Sequence, residues 1–127
     1  MSLGASSKVK LATCHPDLRR LVEAVAAGID AGDLATAGVR DLTVVCGYRG
    51  QAEQDAAFRD GASKLRWPNS RHNSVPSLAV DLAPFPLDWA DRERFQVLRG
   101  YVLAKAAQLG IKLRTIAWDL PHYEIPR

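Results

Sequence analysis

Ser70-Arg71-His72-Asn73-Ser74-Val75-Pro76-Ser77-Leu78-Ala79-Val80-Asp81 decides how this chain is read. A polar segment carrying Asn73 and Pro76 runs into a short apolar stretch, Leu78 to Leu82, that reads as a buried strand. Asp81 sits inside that stretch, where a carboxylate is costly to bury without a charge partner. A metal would supply the partner. A strand aspartate that faces solvent or pairs with an arginine is the alternative. Eight residues separate His72 from Asp81, across the loop. This is not the i, i+4 spacing of helical metal motifs, but it suits a loop histidine and a strand carboxylate that converge on one point.

The last nine residues, Asp119-Leu120-Pro121-His122-Tyr123-Glu124-Ile125-Pro126-Arg127, carry the complementary groups. The chain has three histidines, and His72 and His122 both stand near carboxylates. With Asp81 they make two imidazoles and one carboxylate, the ligand set of a hydrolytic zinc site that keeps a position for water. Asp119 and Glu124 flank His122, so either is a candidate base. On a regular strand residues three apart point to opposite faces, so strand parity pairs His122 with Glu124. Asp119 joins the same site only if the backbone bends, and Pro121 offers a cause for a bend. Arg49 follows a strand through the Gly47-Tyr48 turn. A guanidinium there can hold an oxyanion or a substrate carboxylate, or pair with Glu53 or Asp55 on the surface.

Periodicity supplies the scaffold. Residues 1–10 read as an extended N-terminal arm. Pro16 and Asp17 open a helix over about 16–31, with Leu18, Leu21, Val22, Val25 and Ile29 on one face. His15 reads as the residue before that helix rather than as a metal ligand beside Cys14. Leu42 to Cys46 is a β-branched strand, Gln51 to Arg59 a helix with Ala52, Ala56 and Phe58 available for burial, and 61–76 a long loop. After the Leu78–Leu82 strand, Asp88 is a candidate N-cap for a helix over about 89–109, striped by Phe95, Leu98, Val102, Ala106 and Leu109 and closed by Gly110. Ile111 to Trp118 and Tyr123 to Ile125 read as further strands. About three helices and short strands without βαβ alternation argue a small α+β fold with an antiparallel sheet.

The bulk composition narrows the classes. At 127 residues, with 47% apolar and 24% charged residues, the chain is expected to be one soluble domain, 1–127, and a monomer. The net charge of +3 comes from scattered basic residues, without a basic stripe, and the three tryptophans and three tyrosines are dispersed along the chain. A nucleic-acid partner is not expected. No run approaches the ~18 apolar residues of a membrane span, and the N-terminus has no apolar signal core. Cys14 and Cys46 follow no CxxC pattern and read as reduced, structural thiols.

Taken together, Gly47-Tyr48-Arg49 with Gln54, Ser70-Arg71-His72-Asn73, Ala79-Val80-Asp81 and Asp119-Leu120-Pro121-His122-Tyr123-Glu124 resemble the motifs of phage endolysins of the L-alanyl-D-glutamate peptidase type. These belong with zinc D-alanyl-D-alanine carboxypeptidases and dipeptidases. The resemblance runs from about Leu11 to the C-terminus. It implies the small α+β architecture shared with the hedgehog signalling domain and one zinc held by His72, Asp81 and His122. It also implies Asp119 as general base, Arg49 as stabiliser of the tetrahedral intermediate, and Ser70 as a residue that helps place the substrate. The expected activity is hydrolysis of an amide in the peptidoglycan stem peptide, most readily L-Ala-D-Glu. D-Ala-D-Ala carboxypeptidase activity and a non-catalytic wall-binding module are the alternatives. Without a signal segment, such an enzyme is expected to be made in the cytoplasm and to act on the wall after release. Two features depart from the commoner pattern: the eight-residue gap between His72 and Asp81, and a short segment, Ile111 to Trp118, before the last motif.

Overall fold

Ser7 hydrogen-bonds the backbone N–H of Val44 through Oγ at 3.0 Å and meets Thr43 Oγ1 at 3.1 Å. These contacts tie the N-terminal segment to the first strand in a computed structural model that describes residues 2–126. The expected extended arm is instead helix α1, Ala5–Leu11. Its buried face consists of Ser7 and Leu11, one helical turn apart. An apolar search overlooks that pair because half of it is polar. Ser7 is buried because it satisfies an edge-strand donor that would otherwise be unpaired.

Helix α2, Pro16–Asp30, buries the expected Leu18, Leu21, Val22, Val25 and Ile29. His15 is its N-cap, with Nδ1 accepting from the Asp17 N–H at 3.1 Å. Strand β1 is Leu42–Cys46 and helix α3 is Gln51–Arg59. The buried residue of α3 is Gln54 rather than the expected alanines and Phe58. Strand β2 covers Ala79–Pro84 and helix α4 covers Arg92–Leu109. Asp91, not Asp88, caps α4, accepting from the Arg94 N–H at 3.2 Å. Gly110 ends α4 with φ of 72°, a left-handed conformation that favours glycine. Strands β3, Arg114–Ile116, and β4, Asp119–Glu124, complete the fold. The described residues thus hold four α-helices, one more than expected, and a four-stranded sheet of order β1-β2-β4-β3 in which every pairing is antiparallel.

The sheet has a core face and a site face. Leu42, Val44, Val80, Leu82 and Tyr123 join the buried cluster formed with α2 and α4. The alternate positions of β2 and β4 carry Asp81, His122 and Glu124 to the other side. Registry places Cys46 opposite Asp81 and Asp81 opposite His122, so these three form a row across adjacent strands. Irregularities in β1 and in the β3/β4 pairing bend the two edges of this row. Bulges of this kind re-aim side chains.

Candidate metal centre and active site

His72 is nearly fully buried in a 3-10 turn, Arg71–Asn73, inside the loop expected to be irregular. Ser70 caps that turn. Its Oγ accepts from the His72 N–H at 3.2 Å, while Asn73 Oδ1 accepts from the Ser70 N–H at 3.0 Å. Ser70 therefore fixes the backbone under His72 and also lines the cleft.

The imidazole of His72 is held at both ends. Nδ1 lies 2.7 Å from the Gly47 carbonyl oxygen, and Nε2 lies 3.3 Å from Asp81 Oδ1. A carbonyl only accepts, so Nδ1 carries the hydrogen and Nε2 turns its lone pair to Asp81 when the ring is neutral. A side chain at Gly47 would run into Lys10 O and Thr13 Oγ1, so this close approach needs glycine. His122 is arranged in the mirror sense. Nε2 lies 2.8 Å from Glu124 Oε1 and donates to it, and Nδ1 faces the same Asp81 Oδ1 at 3.3 Å. The two rings meet edge to face with centroids 5.1 Å apart.

Two imidazole nitrogens thus converge on one carboxylate oxygen. Such a set is repulsive unless a cation or a proton sits among them, and the outward ring nitrogens are already engaged, as in metal-ligating histidines. The donor set fits zinc. Cys46 was expected to be structural, yet its Sγ and the ligand atoms of His72 and Asp81 all lie within 4.8 Å of one another. The registry of β1 against β2 explains this, and no CxxC spacing signals it in the sequence. Cys14 differs: it is buried, and desolvation raises its thiol pKa to about 11.

The electrostatics follow from this convergence. Burial opposes the charged forms of His72 and Asp81, but their mutual attraction outweighs it. The His72 pKa is raised, and Asp81 is held well below the usual carboxylate range. Asp119 Oδ2 is 4.0 Å from His122 Nδ1. Burial, followed by the nearby Asp81 charge, raises the Asp119 pKa and makes it a better proton acceptor. Burial also acts on Glu124, but hydrogen bonds from His122 and Arg114 outweigh it and lower its pKa. Arg114 Nη2 reaches Glu124 Oε2 at 2.8 Å and Arg71 Nε lies 3.4 Å from the same oxygen.

Arg49 Nη2 lies 3.7 Å from Asp81 Oδ2, and Nη1 donates to Gln54 Oε1 at 3.0 Å. Gln54, with no exposed surface, also donates from Nε2 to the Leu65 carbonyl at 2.6 Å, and its Oε1 accepts from Asn73 Nδ2 at 3.2 Å. Arg49 is therefore aimed into the cleft by a buried amide instead of pairing with Glu53 or Asp55. Arg99 was not singled out from the sequence. Its guanidinium donates to the carbonyls of Ile116, Asp119 and Leu120 at 3.1, 2.6 and 2.9 Å, clamping the irregular hairpin that carries Asp119. A lone helix arginine on a mixed face gives no sequence signal for that role. All six residues singled out as site residues, Arg49, Ser70, His72, Asp81, Asp119 and His122, line one cleft of about 540 Å³.

The chain matches the family model for phage L-alanyl-D-glutamate peptidase over residues 1–122. It is 31% identical to the L-alanyl-D-glutamate peptidase of Escherichia phage T5 over 131 residues, spanning 98% of this chain and 88% of the relative. Its fold is similar to that of the Serratia marcescens L-Ala D-Glu endopeptidase ChiX. The TM-score is 0.70 at 24% identity, covering 99% of this chain and 90% of that one. A family match over almost the whole length, on a fold that gathers the motif residues into one cleft, places this chain in the phage L-alanyl-D-glutamate peptidase family.

Proposed function

We propose that this chain hydrolyses the L-alanyl-D-glutamate bond of the peptidoglycan stem peptide as a metal-dependent peptidase, with zinc held by His72, Asp81 and His122. The observation that carries the metal is the approach of two imidazole nitrogens to one carboxylate oxygen, each at 3.3 Å, with both outer ring nitrogens already hydrogen-bonded. When bound, zinc supplies Lewis acidity, which brings the pKa of a water to about 7 and polarises the scissile carbonyl.

The chain's own groups account for the rest. Asp119, with its proton affinity raised at the cleft wall, takes the proton of the attacking water and returns it to the leaving amine nitrogen. Arg49 presents guanidinium donors, held in place by Gln54, to the carbonyl oxygen as it gains charge. Ser70 fixes the turn beneath His72, and Glu124 fixes the ring of His122. All of these residues come from one chain, so a single copy suffices. Among the described residues no helix is long and apolar enough to cross a membrane. The family match supports the wall polymer as the partner.

Digestion of purified peptidoglycan followed by mass spectrometry tests this reading. The expected products carry a new amino-terminal D-glutamate on the peptide and L-alanine left on the sugar. Loss of only a terminal D-alanine would assign carboxypeptidase activity, and an unchanged wall would assign a binding module.

A further inference from the structure

We propose that a groove beside the catalytic cleft, walled by Trp89 and Trp118, holds the amino sugar of the glycan strand during hydrolysis. The proposal rests on the L-Ala-D-Glu reading and adds a subsite to it. The groove, about 190 Å³, shares Trp89, Trp118, Asp119 and Pro121 with the cleft, so the two are continuous at the proposed base. Trp89 and Trp118 are 29 positions apart in sequence, yet both line this junction. They are large apolar side chains left 56% and 47% exposed. Trp89 is backed by Phe95, with ring centroids 5.5 Å apart and planes 14° from parallel, so it is a braced flat surface. Lys64 lies 4.5 Å from the Trp118 ring centroid and covers one face of that indole. Arg92 completes the groove with hydrogen-bond donors.

The chemistry of the substrate selects the occupant. In peptidoglycan the L-alanine nitrogen is acylated by the lactyl group of N-acetylmuramic acid. A chain bound with the L-alanine carbonyl at Asp119 therefore carries its sugar within one residue of that point. A pyranose offers an apolar C–H face and a rim of hydroxyl and acetamido groups. Exposed indoles match the first, and an arginine matches the second.

The test compares two soluble substrates, a muramyl-L-Ala-D-Glu peptide and an N-acetyl-L-Ala-D-Glu peptide without sugar, in wild type, Trp118→Ala and Trp89→Leu. Leucine at 89 keeps apolar cover on Phe95 but lacks the flat ring. The wild type should favour the muramyl substrate in kcat/KM. Each substitution should lower that preference about three- to tenfold, the scale of one aromatic contact. A ratio of kcat/KM values that is unchanged in both variants overturns the subsite. Saturation-transfer NMR with the uncleavable N-acetylglucosaminyl-N-acetylmuramic acid disaccharide is the second measurement. Transfer in wild type that is lost in the double variant supports the groove, and equal transfer in both overturns it. If neither peptide is cut, the L-Ala-D-Glu reading falls, while the disaccharide experiment still decides the groove.

Discussion

Asp119 and His122, three residues apart on β4, meet on one side of the sheet with Oδ2 4.0 Å from Nδ1. A regular strand would put them on opposite faces. The β3/β4 registry breaks here: Thr115 pairs with Tyr123 but Ile116 with Asp119, so β4 holds more residues than β3 across the irregularity. Pro121 lies within it, and Arg99 grips the carbonyls of Asp119 and Leu120 from α4. Parity still holds beyond the bulge, where His122 and Glu124 share a face, but Glu124 is committed to His122, Arg114 and Arg71.

The two carboxylates should therefore fail differently. Asp119→Asn is expected to keep its zinc and lose kcat about a hundredfold or more, the scale of a lost proton-transfer group. Glu124→Gln is expected to lose metal affinity about 10- to 100-fold, as for loss of a ligand-orienting carboxylate, and to recover most activity at saturating zinc. Metal titrations with parallel peptidoglycan assays check both. A zinc-loaded but inactive Glu124→Gln, with Asp119→Asn still turning over, would make Glu124 the base.

Metal analysis of chelator-free protein should find one zinc per chain. His122→Ala is expected to bind less than about half an equivalent, since one of three protein ligands is gone. Cys46→Ser is expected to stay loaded, although Cys46 lies beside His72 and Asp81. The reverse pattern would replace His122 with the thiolate in the ligand set.

Arg49→Ala should keep its zinc, because a guanidinium has no lone pair to give a cation. Its kcat/KM should fall about a hundredfold or more, as when an oxyanion donor is removed. Unchanged hydrolysis would reduce Arg49 to a structural partner of Gln54.

In the proposed site zinc and a proton would compete for the lone pair of His72, which gives the proposal a pH signature. Asp81 raises the folded pKa of His72 to about 10 against the burial that would lower it. In the metal-free chain the protonated pair therefore stabilises the fold fully below the unfolded histidine pKa of about 6.5, and the contribution fades as pH rises through about 10. The depressed Asp81 contributes above its unfolded pKa of about 3.9 and fades as pH falls through its lower folded value. Zinc affinity should then climb about tenfold per pH unit between about pH 7 and 9, with about one proton released per ion. Calorimetry in buffers of different ionisation enthalpy measures that proton. None released at neutral pH would show that His72 is already deprotonated.

Elements with a local signal were legible in the amino-acid order. The apolar stripes of α2 and α4, the β-branched run of β1, the Gly110 stop and the strand around Asp81 are all written at fixed spacing, because one side of each is buried. The histidines and carboxylates were legible as chemistry because few residue types bind metal or move protons. Tertiary structure alone decided what depends on registry and on polar burial. Helix α1 is tied to the sheet because Ser7 satisfies an edge-strand donor 37 residues away. Cys46 reaches the site because β1 pairs with β2 one residue out of step. Gln54 and Arg99 hold Arg49 and the Asp119 hairpin, respectively, through hydrogen bonds. Trp89 and Trp118 share a groove because the chain folds back between them. Such partners are chosen by distance in space, and a buried hydrogen bond leaves no period in the sequence to read.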